Sequence, residues 1–387
     1  MNVVASTVVG ILCLGSLVAQ EPPAIGSSLA GPARNTLQRE IEVAALERSK
    51  LSAADVVAKV RALEKDAVIV EMEVRLAGVS AVAVWDVDYW TPAKKVKLRI
   101  DAASGEVRST KSKDIGAKNL EDRSRVVAAK VNVERVLART RERFPAAKIS
   151  DLDVEVSGGA VEYVLRLIEA TGTRKFEIEA DGDEKDEAQP LCGRAFIFEN
   201  TPIGKAAEGW RAAFTGEGGA ASWSVASGAG PMAGNRFLTM TGVASPSKTF
   251  NLAFAPVEAL ADIDIASSVR ANEGSEDQGG GVFWRAKDEK NYYVCRLNPL
   301  ESNFRVYRVV DGVREQLGSA ACEAKTGEWR EIRAVMTGTK IVCMVDGKVL
   351  LEVEDGTFPE KGLAGLWTKA DAATSFDNVV LSPAVKK

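Results

Sequence analysis

The stretch NYYVCRLNPLESNFRVYRVVDG, residues 291–312, consists of two alternating runs joined by a short polar break. Successive side chains of a strand point to opposite faces. Along 292–298, Tyr292, Val294, Arg296 and Asn298 therefore share one side, and Tyr293, Cys295 and Leu297 share the other. The second set is the better core face, so Arg296 and Asn298 are expected to point outward. Asp311-Gly312 closes the second run as a hairpin turn, and Asp346-Gly347 repeats the signal further on. From Cys192 onward, strand-like runs such as RFLTMTG, TFNLAFAP and KIVCMVDGKVLLEVED alternate with Gly-rich turns, and helical periodicity disappears. This spacing predicts an all-β sandwich.

The first half reads differently. Ser52 is an N-cap ahead of Val56, Val57, Val60 and Leu63, which recur at helical spacing. VIVEMEVRL follows, with Val70, Met72, Val74 and Leu76 alternating with charge, which predicts a strand with one buried face. Two more strands come from VSAVAVWDVDYW and KKVKLRIDAASGEV. Eighty residues on, the pattern returns. Val57 maps to Leu137; Met72, Val74 and Leu76 map to Leu152, Val154 and Val156; Trp85 and Val87 map to Leu165 and Leu167; Asp101 maps to Asp181. The expectation is a duplicated helix–strand–strand–strand unit with no net gap. KSKDIGAKNLEDRSR between the copies reads as charged linker or helix start, and DGDEKDEAQP (181–190) reads as a domain boundary.

Composition narrows the function. The chain has 387 residues, net charge −4 and no histidine. Ser–His and Cys–His nucleophilic pairs and His-ligated metals are therefore excluded, and without a basic stripe so is a nucleic-acid partner. Val3–Ala19 is an uncharged, largely apolar run that fits a secretory signal peptide ending near Ala19 or Gln20. A membrane anchor is the rival reading, for which the run is slightly short; no later segment is apolar enough to span. The expected location is secreted or periplasmic. Cys192, Cys295, Cys322 and Cys343 remain after signal removal, either as one or two disulfides or as small buried hydrophobes.

The helix, the three strands and the closure Ile100-Asp101 to Gly105-Glu106-Val107 resemble the PepSY domain; the second copy keeps Asp181 and loses the Gly-Glu-Val ending. That resemblance implies an interaction or inhibitory module. From Cys192 to Pro383 the order of segments resembles a concanavalin A-like, laminin-G-like jelly roll of the kind found in the 3-keto-disaccharide hydrolase family. The segments that carry it are GGGVFWRAKDEKNYYVCRLN, EWREIRAVMTGTK and FPEKGLAGLWTKADAATSFDNVVL. The expected fold class is thus multidomain α+β and all-β: signal peptide 1–20, linker 21–36, PepSY-like units 37–115 and 121–186, linker 187–191, and a concanavalin A-like β-sandwich 192–384.

The jelly-roll resemblance implies a concave sugar-binding face, where aromatic rings stack on pyranoses and Arg, Asn and Asp bind hydroxyls. Its candidates are Trp284, Arg285, Tyr292, Arg296, Asn298, Lys369 and Asp371. It also implies a structural Ca²⁺ between the first and last strands, with Asp377 and Glu199 as ligands. Catalysis needs two carboxylates flanking the scissile bond. The Glu-x-Asp-x-x-Glu spacing of family-16 glycoside hydrolases is absent; Asp262 and Asp264 in DIDIASS have no following Glu. The leading expectation is an exported, non-catalytic protein that binds carbohydrate or a cell-envelope component. The alternatives are a hydrolase related to the 3-keto-disaccharide enzymes and a purely structural envelope protein.

Overall fold

A computed structural model describes Leu29 and residues 32–232, 234–241 and 248–384; the signal-peptide segment lies outside the described residues. Helix α1 (Pro32–Arg48) leads into α2 (Ala53–Leu63), which Ser52 caps through the amide of Asp55, whose carboxylate returns to the Ser52 amide. The strands β1 (Val68–Ala77), β2 (Val82–Trp90), β3 (Lys94–Asp101) and β4 (Val107–Asp114) follow. Then the sequence of elements recurs: α3 (Ala117–Ala128), α4 (Val133–Arg143), β5 (Lys148–Ser157), β6 (Ala160–Glu169), β7 (Gly172–Glu179) and β8 (Glu184–Pro190). Both copies have the same order, and β1 pairs antiparallel with β5, so the two form one eight-stranded sheet, β4-β3-β2-β1-β5-β6-β7-β8.

Three expectations change here. Each copy has four strands and not three. β4 lies partly in what reads as linker, and the acidic run 184–190 is an edge strand, not a boundary. The offset is also not constant: Met72 lies opposite Val87 but Leu152 lies opposite Leu165, so it is 80 residues before the first hairpin and 78 after it. Trp85 therefore corresponds to Tyr163, since they face Val74 and Val154. The second hairpin turns on Gly158 and Gly159 alone, both at positive φ (58° and 92°), where the first uses residues 78–81. Two-residue hairpin loops need that backbone, which glycine adopts without strain.

The expected linker 21–36 is overtaken by α1 from Pro32. Ala44, Ala45 and Leu46 join the core of the duplicated region, while Leu29, Ala33 and Leu37 pack on Ala195, Ala266 and Val380 of the C-terminal half. Among the described residues no helix is long and apolar enough to cross a membrane.

The C-terminal half contains β9 (Arg194–Phe196), β10 (Arg211–Thr215), β11 (Ser222–Ser227), β12 (Arg236–Thr241), β13 (Phe250–Phe254), β14 (Ile263–Glu273), β15 (Gly280–Asp288), β16 (Asn291–Asn298), β17 (Asn303–Val310), β18 (Val313–Ala321), β19 (Trp329–Thr337), β20 (Lys340–Val345), β21 (Lys348–Glu354), β22 (Leu363–Lys369) and β23 (Ala373–Pro383). A seven-stranded sheet, β10-β13-β22-β15-β16-β17-β18, faces an eight-stranded one, β11-β12-β23-β14-β19-β20-β21, with β9 paired to β23. Asp311-Gly312 and Asp346-Gly347 make the hairpins read from the sequence, all four residues at positive φ. Between the sheets lie Trp284, Tyr293, Cys295, Leu297, Phe304, Ile332, Cys343 and Phe376. The seven-stranded sheet has a second apolar layer on its other face: Phe250, Leu252, Phe254, Phe283, Tyr292, Val294, Tyr307 and Trp367. The candidate site is on that outer layer.

Candidate functional site

Strand alternation on β16 is as expected: Tyr293, Cys295 and Leu297 enter the inter-sheet core, and Tyr292, Val294, Arg296 and Asn298 face away from it. Facing away does not make them exposed. Arg296 and Asn298 are each 1% exposed and Tyr292 is 0%, which corrects the expectation of an open sheet face. Thr215, Phe283 and Trp367 lie against Tyr292; at the Asn298 end the loop between β14 and β15 packs on the strand. Gly274 has φ +148°, and a Cβ there would stand 2.0 Å from the Asp277 carbonyl oxygen, so the tight turn requires glycine. Asp371 fastens that turn: its carboxylate accepts from the amides of Ser275 (2.7 Å), Glu276 (3.0 Å) and Asp277 (3.0 Å) and from the Ser275 hydroxyl (2.7 Å). Burial pushes this carboxyl up, and those donors more than reverse it, holding it at about 2.

The clamped turn delivers Asp277, a residue the sequence reading missed, to the end of β16. Asp277 accepts from Asn298 Nδ2 (2.9 Å) and from Lys369 Nζ (2.8 Å), and Arg296 Nη1 stands 3.7 Å away. The structure thus brings Arg296, Asn298, Lys369 and, through the turn, Asp371 around one buried carboxylate. The signal available in sequence was an acidic turn bracketed by Gly274 and Gly279 directly before a strand.

On its other side, Arg296 Nη2 meets Glu301 at 3.1 Å. Glu301 also takes Arg305 Nη1 (2.8 Å) and Asn303 Nδ2 (2.9 Å). The Asn303 donor, followed by the neighbouring Arg296 and Arg305 charges, holds the Glu301 carboxyl below the ordinary range against a partial burial effect. Arg305 lies directly opposite Arg296 in register. Arg314, on the edge strand β18, lays its guanidinium over Tyr307 (4.4 Å to the ring centre) and reaches Phe250 (5.2 Å) and Trp367 (5.9 Å). Tyr292, whose hydroxyl receives the Trp367 indole N–H (3.2 Å) and touches Thr215 (3.0 Å), completes the ring layer; burial pushes it up to about 12. Several buried polar atoms here have no hydrogen-bond partner: Arg296 Nε and Nη1, the Tyr307 hydroxyl and Arg314 Nη1.

Two candidates belong elsewhere. Trp284 is on the inner face, stacked on Tyr293 at 5.9 Å and 24°, with its N–H on the Met336 sulfur at 3.2 Å. Arg285 has φ +46° at an irregularity in β15 that breaks the alternation. Its guanidinium is spent on the carbonyls of Ala261 (2.6 Å) and Phe358 (3.0 Å) and on Asp262 (3.4 Å).

Of the two expected Ca²⁺ ligands, Glu199 is engaged by donors of the chain itself. Glu199 Oε1 accepts from the amides of Asn235 (2.8 Å) and Arg236 (2.9 Å), and Oε2 faces Arg48 of α1 at 3.1 Å. Donors fill both oxygens, whereas calcium takes about six to eight oxygen ligands; the carboxylate serves to tie α1 to the sandwich. Asp377 is buried beside it, and burial, then Glu199, push its carboxyl well above the ordinary range despite the Asn378 amide. Among the described residues, the three carboxylates close enough to share an ion are Glu179, Asp181 and Asp183, in the β7–β8 turn. Cys295 and Cys343 lie side by side as buried thiols in the inter-sheet core; the Cys295 thiol, then burial, push Cys343 well up.

No family model and no curated protein sequence matches the chain. Solved structures with a similar fold cover about half of it. The carbohydrate-binding module CBM66 from Bacillus subtilis is 16% identical, with a TM-score of 0.37, over 47% of this chain and 99% of that one. The mannose- and Ca²⁺-bound exoplasmic/lumenal domain of VIP36 is 10% identical, with a TM-score of 0.36, over 50% and 91%. Domain 4 of AbnA, a GH43 extracellular arabinanase from Geobacillus stearothermophilus in complex with arabinotriose, is 12% identical, with a TM-score of 0.35, over 50% and 92%. Likeness at this level assigns no ligand to this chain.

Proposed function

We propose that this is an exported, non-catalytic protein that binds carbohydrate on the outer face of the seven-stranded sheet, with a PepSY-like pair ahead of a jelly roll similar to that of the 3-keto-disaccharide hydrolases. The observation that carries the reading is the convergence of Arg296, Asn298 and Lys369 on Asp277 beside a layer of aromatic rings. A sugar hydroxyl both donates and accepts, so neighbouring hydroxyls fit a carboxylate flanked by amide, ammonium and guanidinium donors. Tightly held polar groups beside an apolar wall are what orient a small ligand. Glycoside cleavage would need a proton-donating carboxyl with a raised pKa, and Glu301 at the rim is held low.

Glycan-array binding of the full chain tests this. Lys369, whose side chain is 19% exposed, is the variant to pair with it. Lys369→Ala should weaken any glycan bound by roughly 1–3 kcal/mol, the scale of a lost hydrogen bond to a charged group; it also removes the 2.8 Å partner of buried Asp277, so binding is read well below the lowered melting transition that this loss produces. An array with no bound glycan, or binding indifferent to Lys369, would remove this function from this face.

A further inference from the structure

We propose that the saccharide taken by this face is acidic, with its carboxylate or sulfate held by Arg296, Arg305 and Arg314 around the Tyr307 hydroxyl. The inference rests on the carbohydrate-binding reading above and adds the ligand class. Arg296, Arg305 and Lys369 meet two carboxylates, Asp277 and Glu301, both already shared between cations; with Arg314 there are four cations against these two and Asp371, which is engaged by the amides of the turn. The face therefore carries surplus positive charge. Guanidinium groups do not shed that charge at neutral pH, and each carries five N–H donors that need acceptors.

Those acceptors are missing. Arg296 is 1% exposed, and its Nε has no partner at all. Its Nη1 has only the distant contact to Asp277, beyond hydrogen-bond range. Arg314 Nη1 is unpartnered as well, and the two guanidiniums share the Tyr307 ring, at 5.9 Å and 4.4 Å from its centre. Tyr307 is 3% exposed, and its hydroxyl, without a hydrogen bond of good geometry, stands beside the Arg305 guanidinium on the same face and favours that charge. Leaving a buried donor unsatisfied costs free energy, and more for a charged group. An oxyanion, carboxylate or sulfate, accepts from two guanidiniums at once and neutralises the surplus, which a neutral hydroxyl cannot do. Arg314 lies on the edge strand β18 and is only partly buried, so the cluster meets solvent there.

The test uses the full chain and paired probes titrated calorimetrically at physiological salt: tetragalacturonate and a mannuronate tetrasaccharide against their carboxyl-reduced counterparts, and a chondroitin sulfate tetrasaccharide against its desulfated form. At least one charged probe should bind roughly tenfold or more tighter than its neutral partner, the worth of about one charge-assisted hydrogen bond. Arg314→Gln should abolish that preference, and Arg330→Gln, on the opposite sheet, should keep it. Preference for a carboxylate pair or for the sulfate pair decides which oxyanion is taken. Equal binding of charged and neutral partners overturns the inference and leaves the carbohydrate reading standing. A preference that survives Arg314→Gln places the anion elsewhere and also overturns it. If no probe and no array glycan binds, the carbohydrate reading itself falls, and this inference with it.

Discussion

The middle of the N-terminal sheet and the outer face of the seven-stranded sheet both gather charge of one sign, and they resolve it in opposite ways. Where β1 pairs β5, the register sets Glu71 opposite Asp153 and Glu73 opposite Asp151, around fully buried Met72 and Leu152. The duplication itself produces this quartet, because each copy contributes the equivalent pair. Like charges directly opposite on a sheet repel. Carboxylates can answer by keeping a proton, and all four are pushed upward, Asp151 to about 7 by burial first and then by Asp153, Glu73, Glu42 and Glu71. The arginines of the seven-stranded sheet have no such exit. An acidic cluster can relax by protonation alone, whereas a basic cluster with unpartnered donors keeps its need for an acceptor.

The largest effect should come from the basic face. Arg296→Ala empties a fully buried position and leaves Asp277 and Glu301 short of a cation. Breaking a buried ion pair from one side typically costs about 3–5 kcal/mol; the unmet donors of Arg296 put the expected loss at the lower end, about 3 kcal/mol, in urea unfolding. A loss below ~1 kcal/mol would mean that the unmet donors nearly cancel the ion pairs, and that the guanidinium is kept for something other than the fold.

How much of this could be read from the sequence depended on whether a residue had a buried face. Alternation on β16, the Ser52 capping box and the two Asp-Gly hairpins were legible because each is local. β4 and β8 were not: every residue of β4 is exposed and the strand is held by backbone pairing to β3, so no period marks it. The two-residue gap in the repeat stayed hidden for a related reason. A shift of two keeps each side chain on the same face of a strand, so Trp85 aligns as acceptably with Leu165 as with its true counterpart Tyr163. In the site, Arg296 and Asn298 were found from strand alternation, whereas Lys369 and Asp371 were read as one late loop and Lys369 instead ends β22. Asp277 was missed because it sits in a loop, and only Asp371, far along the chain, determines where that loop goes. Arg285 was misplaced because an irregular register in β15 is invisible to simple alternation; Trp284 precedes it and alternates regularly, opposite inward Tyr293.

The acidic face gives the intermediate effect, with a defined sign. Burial and the neighbouring carboxylates push Asp151 of the folded chain up to about 7, from an ordinary value of 3.8. Between those values the folded chain binds more protons than the unfolded one, so this group's contribution to stability falls as pH rises and is fully lost above about 7. Asp101 and Asp371, both held at about 2, act in the opposite sense only as pH falls below the carboxylate range. Asp151→Asn should therefore stabilise the chain by about 1–2 kcal/mol at pH 8, discounted for the residue's partial exposure, and by almost nothing at pH 4. Equal gains at both pH values would show that side-chain packing, and not charge, explains the substitution.

The smallest effect is the sharpest probe of the contrast, because it asks whether the basic face is built for the fold or for a ligand. Arg314 contributes stacking on Tyr307, Phe250 and Trp367, and against that it brings an unpartnered donor and a second positive charge near Arg296. Cation–π contact is worth about 0.5–1 kcal/mol at such half-exposed positions, and an unmet buried donor costs a similar amount or more. Arg314→Leu keeps apolar contact with the rings and removes both penalties, so the ligand-free chain should change by less than about 0.5 kcal/mol, or gain slightly. Differential scanning calorimetry of the two proteins without ligand measures this directly. A clear loss of melting temperature would place Arg314 among the groups that hold the sheet together. An unchanged or higher melting temperature would mean that the protein carries at this edge a cation its fold does not require, as expected where stability is traded for binding.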